Sequence, residues 1–214
     1  MKLLNDPKLV ETLRDKLGFL AKISGVVSTV DFTMDIEQAG QWLKQGKDVV
    51  VYPKINGKHT TQPFVTIDET ELVIYKSDGH LYTKYYPKSN EYRVYIFGGE
   101  IFKIEELITR SKTVLHEKIR LYGSGYNYVT CELDNEEICG KALKTIEHLG
   151  LTFGAVDIIY NKLMDQSFVI GVKTEPSLSK YLANGCILET IDLDYCVAVQ
   201  DDDTNDDEEY KEDE

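Results

Sequence analysis

Residues 91–97 (Glu91-Tyr92-Arg93-Val94-Tyr95-Ile96-Phe97) form a β-branched and aromatic run that ends on Gly98-Gly99, and residues 100–105 resume it. Two glycines between two such runs fit the tight turn that joins antiparallel strands, because that turn needs positive φ. This hairpin puts an antiparallel sheet in the middle of the chain and excludes a purely alternating βαβ series. Shorter runs at 49–51, 63–67, 71–76 and 81–86 read as strands, with Ser77-Asp78-Gly79 as a turn; 152–159 and 167–172 are a further pair joined by 161–165. Asp6-Pro7 caps a helix in which Leu9, Val10, Leu13, Leu17 and Leu20 recur at helical spacing before Gly25. Asp35 and Gln38 open a second helix through Trp42 and Leu43 to Gly46, and 136–149 is a third, stopped by Gly150. Residues 109–127 carry no periodicity and read as a long loop. Helices, then strands, a helix and strands again define an α+β fold of mixed layers.

Charge divides the chain unevenly. Of the formal −13 over 214 residues, the segment 201–214 holds ten carboxylates against one lysine, so the body is only mildly acidic. This tail has almost no apolar residues and is expected to be disordered. The overall sign speaks against non-specific nucleic-acid binding and against anionic membranes, although most of that argument rests on the tail. Cys131, Cys139, Cys186 and Cys196 form no CxxC pair, which leaves free thiols as the expectation rather than a zinc site or a disulfide framework. The four histidines are not spaced as metal ligands. The N-terminal stretch alternates charged and apolar residues and contains no membrane-spanning or signal run, so a cytoplasmic protein is expected.

Three segments together resemble the ATP-grasp superfamily, in the compact form found among carboxylate–amine ligases and in bacteriophage genomes. The first is 81–88 followed by Glu91-Tyr92-Arg93-Val94 and the Gly98-Gly99 hairpin, similar to the family's adenine-side strand and its E-x-R-V strand. The second is Ile119-Arg120 with Gly125-Tyr126, similar to a loop whose arginine meets phosphate. The third joins Leu149-Gly150-Leu151, Gly154-Ala155-Val156-Asp157 and the strand Gly171-Val172-Lys173-Thr174-Glu175-Pro176, which resembles the family's C-terminal block ending in E-V-N-T-x-P. The resemblance covers about 48–179. It implies two α+β subdomains gripping a central cleft, at 47–110 and 111–199, preceded by a helical segment 1–46 and followed by the tail 200–214. It also implies ATP as the cofactor, Asp157 as a metal ligand, Lys84 as a nucleotide contact, and Arg93 and Arg120 on the transferring phosphoryl group; Lys54 and Lys173, which depart from the family's pattern, are expected to contact the nucleotide as substitute cations.

The sequence departs from the family at chemically decisive places. Gly171 and Lys173 stand where the family has its other two metal ligands; glycine offers none, and an ammonium repels a divalent cation while attracting phosphate. Glu175 lies one pleat further along that strand, beyond the usual ligand position. Tyr52 occupies the place of a phosphate-binding cation in the V-V-V-K-P strand, and Lys54 follows two residues later. The phosphate loop 56–61 has one glycine. Lys54-Ile55-Asn56-Gly57 also resembles the lysine motif of covalent nucleotidyltransferases, but no Glu-Gly dipeptide follows anywhere, and a plain turn is the better reading. About 45 residues precede the first grasp strand, and the expectation is a ligase's substrate half either absent or supplied by a partner. These departures speak against magnesium. The expectation is a degenerate ATP-grasp protein, a non-catalytic binding or regulatory module that retains nucleotide, has a protein partner, and acts in the host cytoplasm if phage-encoded. The alternative is an active ATP-dependent carboxylate–amine ligase that forms an acyl phosphate.

Overall fold

The structure, a computed structural model, describes residues 5–55, 58–59, 63–74, 79–110, 118–120 and 125–174, all within the compact unit Asn5–Pro176. In chain order the elements are α1 (Pro7–Arg14), α2 (Lys16–Ile23), β1 (Phe32–Thr33), α3 (Ile36–Lys44), β2 (Val49–Tyr52), β3 (Lys54–Ile55), β4 (Lys58–His59), β5 (Phe64–Thr66), α4 (Glu69–Ile74), β6 (Leu81–Lys84), β7 (Asn90–Phe97), β8 (Glu100–Thr109), β9 (Tyr126–Thr130), α5 (Glu136–Leu149), β10 (Phe153–Asn161) and β11 (Gln166–Lys173). They build a four-stranded sheet ordered β1-β6-β2-β5, a five-stranded sheet ordered β11-β10-β7-β8-β9, and the small pair β3-β4. All strand pairings within these sheets are antiparallel. The Gly98-Gly99 turn takes positive φ at both residues, as its sequence requires.

The larger core lies under the five-stranded sheet. Val94, Ile96, Val156 and Ile158 alternate onto the face that meets Ile138, Ala142 and Ile146 of α5 and Phe19, Leu20 and Ile23 of α2. A smaller core gathers Trp42 of α3, Leu72 of α4, and Val49, Val51 and Tyr82 of the four-stranded sheet. Helix α5 is built as the sequence predicts: Asn135 caps its start, and Gly150 ends it in the left-handed conformation. Among the described residues no helix is long and apolar enough to cross a membrane.

Three features differ from the sequence expectation. The single N-terminal helix is two helices. Asp15 leaves helical geometry at ψ 127° and caps α2 by accepting from the Gly18 amide, so the chain bends just before Lys16. The strand expected at 71–76 is helix α4 over Glu69–Ile74, because Asp68 accepts from the Thr70 amide and Glu71 folds back onto Thr66 as in a capping box. The unpatterned stretch 109–127 contributes the start of an unforeseen strand, β9, which extends the sheet by pairing with β8 from Glu105 to Thr109. Strands β7 and β8 bond with β10 and β9 in the five-stranded sheet. Residues 56–57, 60–62, 175 and the tail 201–214, to which the sequence reading assigned a phosphate loop, a carboxylate and a polyanion, lie outside the described residues.

Close packing between α5 and β10 needs Gly154. A Cβ there would stand 2.9 Å from Ile146 Cδ1 and 3.2 Å from the Lys173 carbonyl oxygen. We expect Gly154→Ala to destabilise the fold by about 1–3 kcal/mol in urea unfolding. Adding Ile146→Val, which removes the obstructing methyl, should recover part of that loss, so the double variant is less unstable than the two single effects summed.

Candidate functional site

Period-2 alternation sends one set of strand side chains away from the core and into a cleft between the two larger sheets. On β7, Glu91 and Arg93 face opposite to Tyr92 and Val94; on β10, Asp157 faces opposite to Val156 and Ile158; on β11, Gly171 and Lys173 follow. Register aligns them: Arg93 pairs with Asp157, and Asp157 with Gly171, so the three form one row across β7, β10 and β11. Val50, Tyr52, Thr83 and Lys84 of the four-stranded sheet line the other wall. The cavity measures about 430 Å³, within the range of small-molecule sites. Eight lysine and arginine side chains line it against two carboxylates, Glu91 and Asp157, so its field favours an anion.

At the centre of the row, Arg93 Nε donates to Asp157 Oδ1 at 2.6 Å and Nη2 donates to Oδ2 at 3.0 Å. The Tyr128 ring covers the guanidinium at 4.1 Å, which ties β9 to the same point. With side chains 17% and 15% exposed, this is a largely buried pair rather than a surface contact. Burial opposes ionisation of Asp157, but the Arg93 guanidinium, followed by Lys173 and Lys16, holds its carboxyl below the ordinary value. Tyr52 is pushed the other way: burial, then Glu91, raises its phenol well above the usual range and keeps it neutral.

Most of the other cations have carboxylate partners. Lys84 pairs with Asp31 at 2.6 Å and lies 5.3 Å from the Trp42 ring. Lys88 pairs with Glu91, and Lys118 with Asp48. Arg120 donates through Nη2 to the Ser89 carbonyl at 3.1 Å, and its buried Nε has no hydrogen-bond partner among the described residues. Lys173 forms no ion pair among those residues and is exposed at the rim. Lys16, half-buried, donates to the Ile170 carbonyl and lies 5.1 Å from the Tyr52 ring. Burial lowers its ammonium to about 8, with Asp157 and Glu91 opposing that shift.

Among the described residues the donor set is a poor fit for a divalent metal. Both Asp157 oxygens are engaged by Arg93, and Gly171 stands beside them with a Cβ position 3.2 Å from Oδ2, where a carboxylate ligand would have to enter. No cluster of three or more His, Cys, Asp or Glu side chains suited to a metal occurs among the described residues. Hard cations need such oxygens.

Five of the six residues singled out from sequence (Lys84, Arg93, Arg120, Asp157 and Lys173) line this one cavity. Lys54 does not: it lies on the β3–β4 hairpin, its amide donates to His80 Nδ1 at 3.2 Å, and its side chain runs along Gly79. Pro53 ends β2, so the chain does not continue straight past it as the sequence expectation required. Lys16 was missed because an unbroken helix would have left it on a solvent face; the signal was Asp15 followed by Gly18, a second cap inside the apolar pattern. Tyr128 was missed with its strand.

Asp157→Ala is a direct test of the central pair. Removing the carboxylate leaves a largely buried guanidinium unpaired, and we expect a loss of about 3 kcal/mol in denaturant unfolding at neutral pH. Because the folded carboxyl titrates below its ordinary value, its stabilisation is full above that ordinary value and fades as pH falls through the folded one. The gap between wild type and Asp157→Ala should therefore narrow in acid.

No protein-family model matches the chain, and neither does any curated protein. Solved structures do. The ATP-grasp ligase PsnB, complexed with a minimal precursor, superposes with a TM-score of 0.64 at 12% identity over 87% of this chain. The D-alanine–D-alanine ligase of Bacillus anthracis gives 0.61 at 18% identity over 82% of this chain. A RiPP-associated ATP-grasp ligase of Chryseobacterium gregarium, in complex with ADP and a leader and core peptide, gives 0.57 at 17% identity over 85%. This chain spans 57–64% of the length of these three proteins. Two antiparallel sheets facing a cationic cleft, together with these superpositions, identify the chain as having the fold of the ATP-grasp superfamily.

Proposed function

We propose that this protein is a degenerate ATP-grasp module that binds ATP in the cleft between its sheets and does not carry out ligation. The observation that carries the reading is the row Arg93–Asp157–Gly171. The one acidic ligand position that the sequence retains is neutralised by a bidentate arginine, and the position opposite it has no side chain. A triphosphate needs its charge balanced, and the excess of cations lining the cavity can do that directly. Phosphoryl transfer needs in addition a metal that bridges phosphate oxygens and neutralises developing charge, and this donor set does not hold one. Structural neighbours carry ADP with precursor peptides, or ATP, which supports a nucleotide in the cleft and a peptide or protein as the second partner.

In this reading Lys84 sits on the adenine-side strand, and Arg120 and Lys173 meet phosphates from opposite sides. Arg93 acts through Asp157, as a clamp that keeps the cleft wall intact. Calorimetric titration with ATP tests it. We expect binding that persists in EDTA, an Arg120→Ala variant weakened by about tenfold or more, and no ADP release over hours with magnesium present. ADP release above background, dependent on magnesium and abolished by Asp157→Ala, would show metal-dependent phosphoryl transfer and overturn the non-catalytic reading.

A further inference from the structure

Lys16, like Arg120, is a half-buried cavity cation with no carboxylate partner among the described residues. Its ammonium bonds a single backbone carbonyl, that of Ile170, and no carboxylate lies within ion-pair distance of it among the described residues. Arg93, Lys84, Lys88 and Lys118 each have an acidic partner. An ammonium held away from water without a counter-charge is costly, and a folded chain places one there only against an anion or a strong reason of packing. The side chain leaves α2 at its first residue, where the Asp15 bend aims it into the cavity rather than along the helix surface.

Its position is as informative as its charge. Ile170, which anchors the ammonium, immediately precedes Gly171, the residue paired with Asp157. Lys16 therefore stands beside the row where carboxylate and metal would otherwise meet, with Asp157 and Glu91 acting on it electrostatically and Lys173 repelling it. The Tyr52 ring 5.1 Å away supports the ammonium from the four-stranded sheet. Building on the nucleotide reading above, we propose that Lys16 is a resident cation that holds the phosphate chain of the bound nucleotide where a divalent metal ion would stand, so that the cleft takes the metal-free nucleotide. The bend at Asp15 is then a functional feature of the N-terminal helices. It turns a surface lysine into a fixed positive charge that needs no dissociable ion.

The test is ATP affinity measured with EDTA and with excess magnesium for wild type, Lys16→Gln and Lys16→Arg, with unfolding midpoints recorded for each. Wild type should bind metal-free ATP at least as well as magnesium ATP. Lys16→Gln should lose about tenfold or more in EDTA and recover part of that with magnesium, because the nucleotide then brings its own cation. Lys16→Arg, which keeps the charge, should stay closer to wild type. A purely structural lysine would alter both conditions equally and leave their ratio unchanged, which would overturn the assignment. Lys16→Gln binding metal-free ATP as wild type does would overturn it too, while leaving nucleotide binding itself intact. If wild type binds no nucleotide in either condition, it is the nucleotide reading that fails. A second measurement uses the unmodified protein: amine acetylation of Lys16, followed by peptide mass spectrometry, should slow several-fold when ATP is added in EDTA. Unchanged labelling under saturating ATP contradicts the proposal.

Discussion

The bidentate contact between Arg93 and Asp157 is the point on which the rest of the site depends. It joins the two central strands of the five-stranded sheet on their cleft side, at register positions directly opposite each other. Tyr128 stacks on the same guanidinium, and Gly171 leaves space beside the carboxylate. Both oxygens of Asp157 already accept from Arg93, so a metal at that carboxylate would have to share it with a guanidinium whose positive charge opposes the ion. Breaking a largely buried pair leaves a charge stranded, which costs more than the pair itself contributes. The pair thus joins the sheet on its cleft side and sets a positive charge against the carboxylate.

What remains in the cleft is cationic and is assembled from separate parts of the chain: Lys16 from the N-terminal helices, Lys84 from the four-stranded sheet, Arg120 from the segment after β8, and Lys173 from the end of β11. Each reaches the cavity by a different local device. Strand alternation supplies Lys173, the break at Asp15 supplies Lys16, and a bond to the Ser89 carbonyl holds Arg120. Convergence of unlike elements on one polar cavity is what a phosphate-binding site requires. A solvated charged face needs no such arrangement.

Much of this was readable in the sequence where local signals agreed with tertiary packing. The Gly98-Gly99 hairpin, α5 with its Asn135 cap and Gly150 stop, and the β10–β11 pair appear where periodicity and turn chemistry place them. The family resemblance assigned Arg93 and Asp157 to one site with separate roles and did not foresee their pairing, which the strand register brings about beside Gly171. The sequence was silent where a capping side chain overrode the apolar pattern. Asp15 splits one apparent helix, and Asp68 with Glu71 turns a β-prone run into α4. It was silent again at β9, whose Tyr126-Asn127-Tyr128 sequence becomes a strand through pairing with β8 rather than through any pattern of its own. Lys54 shows the opposite failure, a residue plausible by spacing that the turn at Pro53 carries onto another hairpin.

The central claim is that phosphate charge in this cleft is balanced by side chains in place of a metal. A crystal structure of the protein grown with ATP and manganese, with anomalous data collected at the manganese edge, tests it most directly. The account predicts a triphosphate with Lys16, Arg120 and Lys173 at hydrogen-bond distance from its oxygens, the Arg93–Asp157 pair intact, and no anomalous peak beside Asp157. A manganese peak on Asp157, with Arg93 turned away, would contradict it.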